Sequence, residues 1–426
     1  MKGVVLAAGL GVRLKPFTLT RPKVMIPVGG APLLEWVLRR LREAGVREIL
    51  IITHHMESLI RNYFGSGSKL GLKLSFKRQE RLLGTADAFR VAEDFVKGEE
   101  FLGLNGDLYL SPGIIERILE NHKEGEAAMA VVPVETPSRY GIVTLEGGLV
   151  KGLVEKPEPG REPSRLANAG IYLFPKAVFE WIKRTPKSNR GEYEITESLR
   201  MMMEAGETIR AVEIAPDSWL EIGYPWKLLE ANERILRALE HQVEGDLEEG
   251  VVIIPPVKIG KGTRVRSGSY LEGPVLIGEG CDIGPNCYIR PHTSIGSGVR
   301  VGNGCEVKNS IVMDGAHISH LCYVGDSVIG EGCNLGAGTI TANLRFDGRD
   351  VEVRVEDTVI SSARRKLGAF IGDEAQTGVN VSLMPGVKVG PRAWIAPGLT
   401  VYEDIPEEVL YSIPRGGVGP RARRHI

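Results

Sequence analysis

Leu6-Ala7-Ala8-Gly9-Leu10-Gly11-Val12-Arg13-Leu14-Lys15-Pro16 decides the fold of the first half of the chain. The apolar run from Gly3 to Ala8 reads as a buried strand, and it empties into a turn whose two glycines free backbone N–H groups to face a ligand. Adjacent N–H groups form a concavity that holds anions. Two cations, Arg13 and Lys23, follow at spacings that let both point back into the same loop. Two familiar phosphate loops are excluded: position 14 is Leu, so the dinucleotide fingerprint G-x-G-x-x-G fails, and no Gly-Lys-Ser/Thr follows, so the P-loop fails as well.

Downstream of this turn, residues 32–44 carry helical periodicity, with Pro32 at the start and Gly45 as a stop. Glu48–Thr53 reads as a strand. Further strands are expected near 72–78, 101–105, 127–134 and 170–174, alternating with helices to about residue 240. That rhythm belongs to a parallel-centred sheet covered by helices, an α/β Rossmann-like domain whose ligands sit at the carboxyl ends of the strands. Phe101-Leu-Gly-Leu-Asn-Gly106-Asp107 is the second chemical stretch. Its apolar strand delivers Asp107 to an edge where a hard carboxylate can take a Mg²⁺ ion bridging nucleotide phosphates. The His54-His55 pair, just past a strand end, reads as a loop feature.

After residue 240 the composition changes. Of the 53 glycines, 29 lie in this second part. Apolar residues recur every sixth position: Ile259, Val265, Leu271, Ile277, Ile283, Ile289, Ile295, Val301, Val307 and Met313, then, after a slip, Ile329 and Leu335, and later Ile371, Leu383, Val389, Ile395 and Val401. A strict six-residue period marks a hexapeptide parallel β-helix, in which a coil cannot bury its own inner face and must stack on its neighbours. Cys281, Cys287, Cys305 and Cys333 each sit four residues after an apolar beat, so they read as small stacked side chains. With Cys322 the count is odd and no C-x-x-C occurs, so structural disulfides and zinc sites are not expected. The organisation expected is 1–240 as the α/β domain, 241–250 as linker, 251–412 as β-helix and 413–426 as a basic tail.

With 426 residues and a formal net charge of −1, the chain has no bulk attraction for nucleic acid or membrane surface. No apolar run approaches the roughly 20 residues of a membrane helix. The start resembles a signal peptide only as far as Gly9, where it flows into the anion loop, so a cytoplasmic location is expected.

Taken whole, L-A-A-G-x-G-x-R-L-x-P-x-T-x-x-x-P-K-x-x-x-P-V, running from Leu6 to Val28, resembles the signature of sugar-1-phosphate nucleotidylyltransferases. The resemblance implies that Ala8, Gly9, Gly11 and Gly106 line a nucleotide site in which Arg13 and Lys23 act on the phosphates. Gln79-Glu-Arg-Leu-Leu-Gly84-Thr85-Ala-Asp-Ala resembles the family's base-contacting segment, with Gln79 offering an amide and Gly84 and Thr85 opening a helix. Tyr140-Gly141, Val154-Glu155-Lys-Pro and Asn168-Ala-Gly match, in order, the family's sugar-contacting pieces, which makes Gly141, Glu155 and Asn168 sugar-phosphate ligands. Trp219-Leu-Glu221-Ile-Gly-Tyr-Pro-Trp226 and Glu192-Tyr-Glu-Ile-Thr196 are similar to the elements W-x-D-x-G and E-x-x-I/L-T-D. Glu221 stands where the family places a metal-binding Asp, one methylene longer but still an oxygen ligand.

The second half resembles the acetyltransferase part of the bifunctional N-acetylglucosamine-1-phosphate uridylyltransferase/glucosamine-1-phosphate acetyltransferase family. His320-Leu-Cys-Tyr323-Val-Gly-Asp326 matches its H-L-x-Y-x-G-D, whose histidine removes a proton from the sugar amine. By that resemblance Arg290 and Lys308 hold the sugar phosphate, and Tyr323, Asn334, Ala337 and Asn343 complete the site. The resemblance further implies left-handed winding, a homotrimer, UTP or dTTP and a sugar-1-phosphate as substrates, and acetyl-CoA as co-substrate. Arg349, Arg364-Arg365-Lys366 and tail residues Arg421, Arg423 and Arg424 are candidates for coenzyme A phosphates or a solvated charged surface. The chain departs from bacterial members at Asn343-Leu-Arg-Phe-Asp-Gly, where they read N-Y-D-G, and at Val379, where they carry Ser. Two other architectures share these parts: single-activity pyrophosphorylases similar to mannose-1-phosphate guanylyltransferases, and initiation-factor-2B-type exchange subunits, which are not enzymes.

Overall fold

The computed structural model describes residues 1–413 and 419–424. The chain divides into two compact units. One comprises Met1–Leu10, Pro22–Met25 and Pro32–Glu221; the other comprises Gly11–Arg21, Ile26–Ala31 and Ile222–Ile426.

In the first unit, Gly3 to Leu6 are apolar and lie in β1 (Lys2–Leu6), which pairs in parallel with β2 (Glu48–Thr53) on one side and β4 (Phe101–Asn105) on the other. β3 (Lys73–Arg78) continues the parallel half beyond β2. The sheet's other half is made by β6 (Ala127–Pro133), β7 (Gly141–Glu146), β8 (Leu149–Glu155), β9 (Leu166–Phe174) and β10 (Ile209–Glu213). The nine strands lie in the order β3-β2-β1-β4-β9-β6-β10-β8-β7. Neighbouring residues of β1 face opposite cores. Val5 packs with α1 (Leu33–Glu43), whose Leu34, Val37, Leu38 and Leu41 form a buried stripe at helical spacing, and Val4 packs with Phe89 and Phe101 on the other face. Gly45, at φ 82°, stops α1 as the sequence requires.

The expected alternation of strand and helix fails between 127 and 174. Four strands follow one another there without an intervening α-helix, because Gly147 and Gly148, both at positive φ, turn β7 directly back as β8. Outside the main sheet, β5 (Leu108–Leu110) pairs antiparallel with β11 (Trp219–Glu221).

The second unit contains three parallel sheets of eight, ten and eight strands. Each short strand pairs with the strand one coil later, so that Ile259, Ile277, Ile295, Val312, Ile329, Ile371 and Val389 form one inward ladder. This is a parallel β-helix with a continuous aliphatic core. The five cysteines are reduced and buried among these ladders. The register corrects the sequence reading at one point. Val312, not Met313, pairs with Ile295, so the slip falls in the corner Lys308-Asn309-Ser310 and repeats one coil later at Gly325-Asp326-Ser327.

The expected excursion 344–370 leaves the coil and contains a hairpin, Glu352–Val355 with Thr358–Ser361, but Phe370 is already back in the coil, paired with Val328. Val351, Val353 and Val355 of this excursion are buried. At the carboxyl end, Arg421–Arg424 pairs antiparallel with Val409–Ser412, so this part of the basic tail extends a sheet. Residues 414–418 and 425–426 of the tail lie outside the described residues.

Ile289 is fully buried within the prism, between rungs above and below. Ile289→Ala is expected to leave a cavity costing about 2–5 kcal/mol, seen as a lowered unfolding midpoint in denaturant.

Candidate functional site

β1 ends on the backbone contact from which the first site is built. The Gly106 N–H donates to the Leu6 carbonyl at 2.8 Å, and a Cβ at Gly106 would sit 2.8 Å from that same oxygen. Only glycine lets the ends of β1 and β4 close in this way, which puts Asp107 directly beyond the end of β4. The Asp107 carboxylate accepts a hydrogen bond from the Lys23 ammonium, both largely shielded from solvent. Glu221 pairs in register with Leu108, so the antiparallel ribbon places Glu221 across from the residue that follows Asp107 in the chain. Asp107, paired with Lys23, and Glu221 across the ribbon carry hard oxygen donors of the kind that could hold Mg²⁺. Ala8 is buried and Gly9 has open space where a Cβ would be.

Gly11–Arg21 belongs to the second unit. Gly11 adopts φ 64° and starts a 3-10 turn, Val12–Leu14, closed by Leu14 N–H to the Gly11 carbonyl at 2.8 Å. Thr18 donates its hydroxyl to the same carbonyl at 3.0 Å. Among the described residues, the N–H groups of Gly9 through Arg13 have no protein acceptor. The Arg13 guanidinium lies 4.9 Å from the Tyr224 ring centroid and against Gly223, so the glycine and tyrosine that follow Glu221 orient this cation. Sequence reasoning quoted Tyr224 without assigning it; its place directly after W-x-E-x-G was the available signal.

The segment expected to contact the base is held by backbone and side-chain bonds. Gly84, at φ 111°, approaches Tyr193 so closely that a Cβ would stand 2.8 Å from its nitrogen. The Ala86 N–H donates to the Tyr193 carbonyl, and Thr85 Oγ1 accepts from the Ile195 N–H at 2.9 Å. Gln79 is buried and its amide N–H₂ group is spent on the Gly84 carbonyl at 3.2 Å and on Asp87 at 2.9 Å, which leaves its carbonyl oxygen for recognition. His54 contributes to the same loop by bonding the Gln79 carbonyl at 2.7 Å.

The three sugar pieces converge. β7 and β8 pair Gly141 with Glu155, and a Cβ at Gly141 would lie 2.9 Å from Glu155 Oε2 and 3.7 Å from the Asn168 Cβ. Asn168 donates to the Tyr172 hydroxyl at 2.6 Å and accepts from the Gly170 N–H at 3.0 Å, which fixes its rotamer. Burial, and then the neighbouring Glu194 carboxylate, raise the Glu155 pKa above the ordinary carboxyl value, against the pull of Lys156 and Arg190. Tyr172 is likewise raised, chiefly by burial.

On the β-helix, consecutive coils stack Arg290, Lys308 and Gly325 on one face. Arg290 pairs with Glu306 at 2.8 Å, and Lys308 with Asp326 at 3.0 Å. Asn343 donates to the Tyr323 hydroxyl at 3.0 Å and to Asp326 at 2.6 Å, while Asn309 donates to the other Asp326 oxygen at 2.8 Å. Burial raises the Tyr323 pKa despite its bond from Asn343. Asp326, 2% exposed, is the hub of this network; the sequence offered it as the last letter of H-L-x-Y-x-G-D, and it was not assigned. His320 lies exposed on the corner that precedes Tyr323, with its carbonyl accepting from the Gly338 N–H at 3.0 Å. Asn334 is on the neighbouring sheet, paired with His317, and the Ala337 carbonyl accepts from Asn380. Arg364 is committed to Glu233 at 2.7 Å, so it is not an open phosphate ligand.

Comparisons with known proteins agree with this division. The nucleotidyl transferase family model matches residues 2–238, and the GMPPB C-terminal domain model matches residues 271–364. A relative from Methanocaldococcus jannaschii named bifunctional protein GlmU is 41% identical over 407 residues, covering 95% of this chain and 96% of its own. The bifunctional sugar-1-phosphate nucleotidylyltransferase/acetyltransferase of Sulfurisphaera tokodaii is 40% identical over 415 residues, covering 95% and 98%. Among solved structures, a Bacillus anthracis chain described as a glucose-1-phosphate thymidylyltransferase, in complex with a sucrose, matches 57% of this chain and 98% of its own, at 31% identity and a TM-score of 0.51.

Because the folded state favours protonated Glu155, its contribution to stability is complete below pH 4.5 and is lost as pH rises through the raised value. Glu155→Gln removes that dependence. The melting temperature of the wild type should therefore fall relative to the variant between pH 4.5 and neutrality.

Proposed function

This chain belongs to the family of bifunctional sugar-1-phosphate nucleotidylyltransferases/acetyltransferases, and from that premise we propose that it makes a nucleotide sugar at one site and acetylates an amino-sugar phosphate at another. At the first site a phosphate oxygen of N-acetylglucosamine-1-phosphate or glucose-1-phosphate attacks the α-phosphorus of UTP or dTTP in line. The α–β bridging bond breaks and pyrophosphate leaves. Nothing covalent forms on the protein, so catalysis is positioning and charge neutralisation. Arg13 and Lys23 neutralise the phosphates. The backbone at Ala8, Gly9, Gly11 and Gly106 lies against the triphosphate, and Gln79, Gly84 and Thr85 hold the base. Gly141, Glu155 and Asn168 bind the sugar hydroxyls. Asp107 and Glu221 would hold Mg²⁺, which supplies further positive charge to the phosphate oxygens.

At the second site His320 takes a proton from the amine of glucosamine-1-phosphate as the nitrogen attacks the acetyl-CoA thioester carbon, and the coenzyme A thiolate leaves. Arg290 and Lys308 bind the sugar phosphate, and Asn334, Ala337 and Asn343 complete the pocket with Tyr323. In this reading the β-helix winds left-handed and the chain acts as a cytoplasmic homotrimer; no described helix is long and apolar enough to cross a membrane.

The observation that carries the reading is the meeting of Lys23 with Asp107 just beyond the carboxyl end of β4, with Glu221 opposite Leu108 in the ribbon that follows. The match to the GMPPB C-terminal domain favours a second reading, a single-activity pyrophosphorylase whose β-helix only assembles copies. A screen of four triphosphates against several sugar-1-phosphates for pyrophosphate release, and of glucosamine-1-phosphate with acetyl-CoA for thiol release, separates the two. Arg13→Ala and Asp107→Ala are each expected to slow pyrophosphate release about 10²-fold or more. His320→Ala should spare that reaction and slow thiol release by about 10²–10⁴-fold. Thiol release that survives in His320→Ala would remove the second assignment.

A further inference from the structure

The hydrogen bonds inside the loop that carries Arg13 are all local: they close turns within it and do not fix where the loop lies. Gly11–Arg21 consists of two 3-10 turns, Val12–Leu14 and Phe17–Leu19, and belongs to the same compact unit as the β-helix. At its far end the Thr20 hydroxyl and the Arg21 guanidinium both donate to one carboxylate oxygen, Oδ2 of Asp373, on the turn that follows the coil strand Phe370–Ile371. Arg21 also pairs with Glu331, one coil earlier, at 3.0 Å. The other Asp373 oxygen, Oδ1, accepts the Glu331 N–H at 2.9 Å and so closes the turn between coils. The two oxygens thus have separate duties.

Beside this polar clasp, Phe17 meets Phe370 edge to face with ring centroids 6.5 Å apart, and both rings are fully buried. Arg21 and Asp373 are themselves mostly shielded, at 14% and 8% side-chain exposure. Burial works against the Arg21 charge, yet Asp373 and Glu331 raise its pKa above the ordinary value, so the guanidinium is held charged within the clasp. Bonds within turns leave the path of the loop as a whole undetermined, so the entropy cost of ordering it is offset by contacts outside it. A charge-assisted hydrogen bond and a buried aromatic pair are the contacts able to do that.

We propose that Asp373, seconded by Phe370, is a positioning residue for nucleotidyl transfer: a β-helix coil holds the phosphate loop, which belongs to the same compact unit, in its working conformation. This rests on the nucleotidyl-transfer reading above and deepens it. The sequence separates Asp373 from Arg21 by 352 positions, and nothing in the hexapeptide period distinguishes Asp373 from other acidic turn residues such as Glu279 and Glu331.

Asp373→Asn tests this directly, because the amide keeps an oxygen to accept the Glu331 N–H while removing the carboxylate that Thr20 and Arg21 share. The full-length variant and wild type are compared by pyrophosphate release, by thermal unfolding, and by hydrogen exchange over residues 11–21. The expected result is a fall of about tenfold in kcat/KM, carried mostly by KM for the triphosphate, with KM for the sugar phosphate within about twofold. Exchange in residues 11–21 should accelerate while the β-helix core keeps its protection. Asp373→Ala should do the same more strongly, and combining it with Arg21→Lys should add little, since the two changes break one contact.

Kinetics within about twofold of wild type for Asp373→Asn, or unchanged exchange in the loop, would overturn the proposal. So would a loss of protection throughout the β-helix alongside the kinetic loss, which would make Asp373 a stabiliser of the coil and no more. If the wild type releases no pyrophosphate with any triphosphate, the reading of the reaction fails. The exchange comparison still decides whether the clasp orders the loop.

Discussion

A single β-helix coil has an inner face it cannot bury by itself, and that constraint governs the second unit. Burial comes only when Ile277 lies against Ile259 on one side and Ile295 on the other, so the chain must repeat its inward residues at equal intervals. The repeat in turn fixes the outward positions in register. Arg290, Lys308 and Gly325 share one face because Ile289, Val307 and Val324 share one ladder. The polar cluster is therefore a by-product of hydrophobic stacking, with its spacing set by the rise of a parallel sheet.

The period breaks where the chemistry gathers. Two successive corners are one residue short, and they place Asn309 over Asp326, both in the left-handed conformation that Asn and Asp tolerate better than most residues. Asp326 then binds Lys308, Asn309 and Asn343 with its two oxygens. A buried carboxylate with this many donors is held in one position, and it fixes the side chains around it. Glycine has a matching part in the first unit. Gly84, Gly106 and Gly141 each stand where a Cβ would press into a backbone atom or a functional carboxylate, so they set how closely the site's walls approach.

Much of this was readable in advance. The apolar strand, the two loop glycines and the following cations were enough to expect an anion site, because strand ends and glycine turns are local properties. The hexapeptide beat was enough to expect the β-helix and to explain Cys281, Cys287, Cys305 and Cys333 as packed thiols. In the half of the first sheet beyond β4, β6 and β9 are legible, but β7 and β8 are not, because Thr144, Lys151 and Gly152 interrupt their apolar pattern. The displaced beat at Met313 was missed because Val312 and Met313 are both apolar and both buried, so hydropathy cannot tell which one faces inward.

The sequence by itself determined the two architectures and the order of the chemical motifs, since both follow from near-neighbour patterns: periodicity, turn residues and runs of apolar side chains. Tertiary structure alone decided who holds whom. Tyr224 under Arg13, Asp373 on Arg21 and Asp326 among three donors all join residues whose partners are set by how separate segments pack. A hydrogen bond acts over about 3 Å, and no local pattern records which remote atom will arrive within that distance once the core has closed.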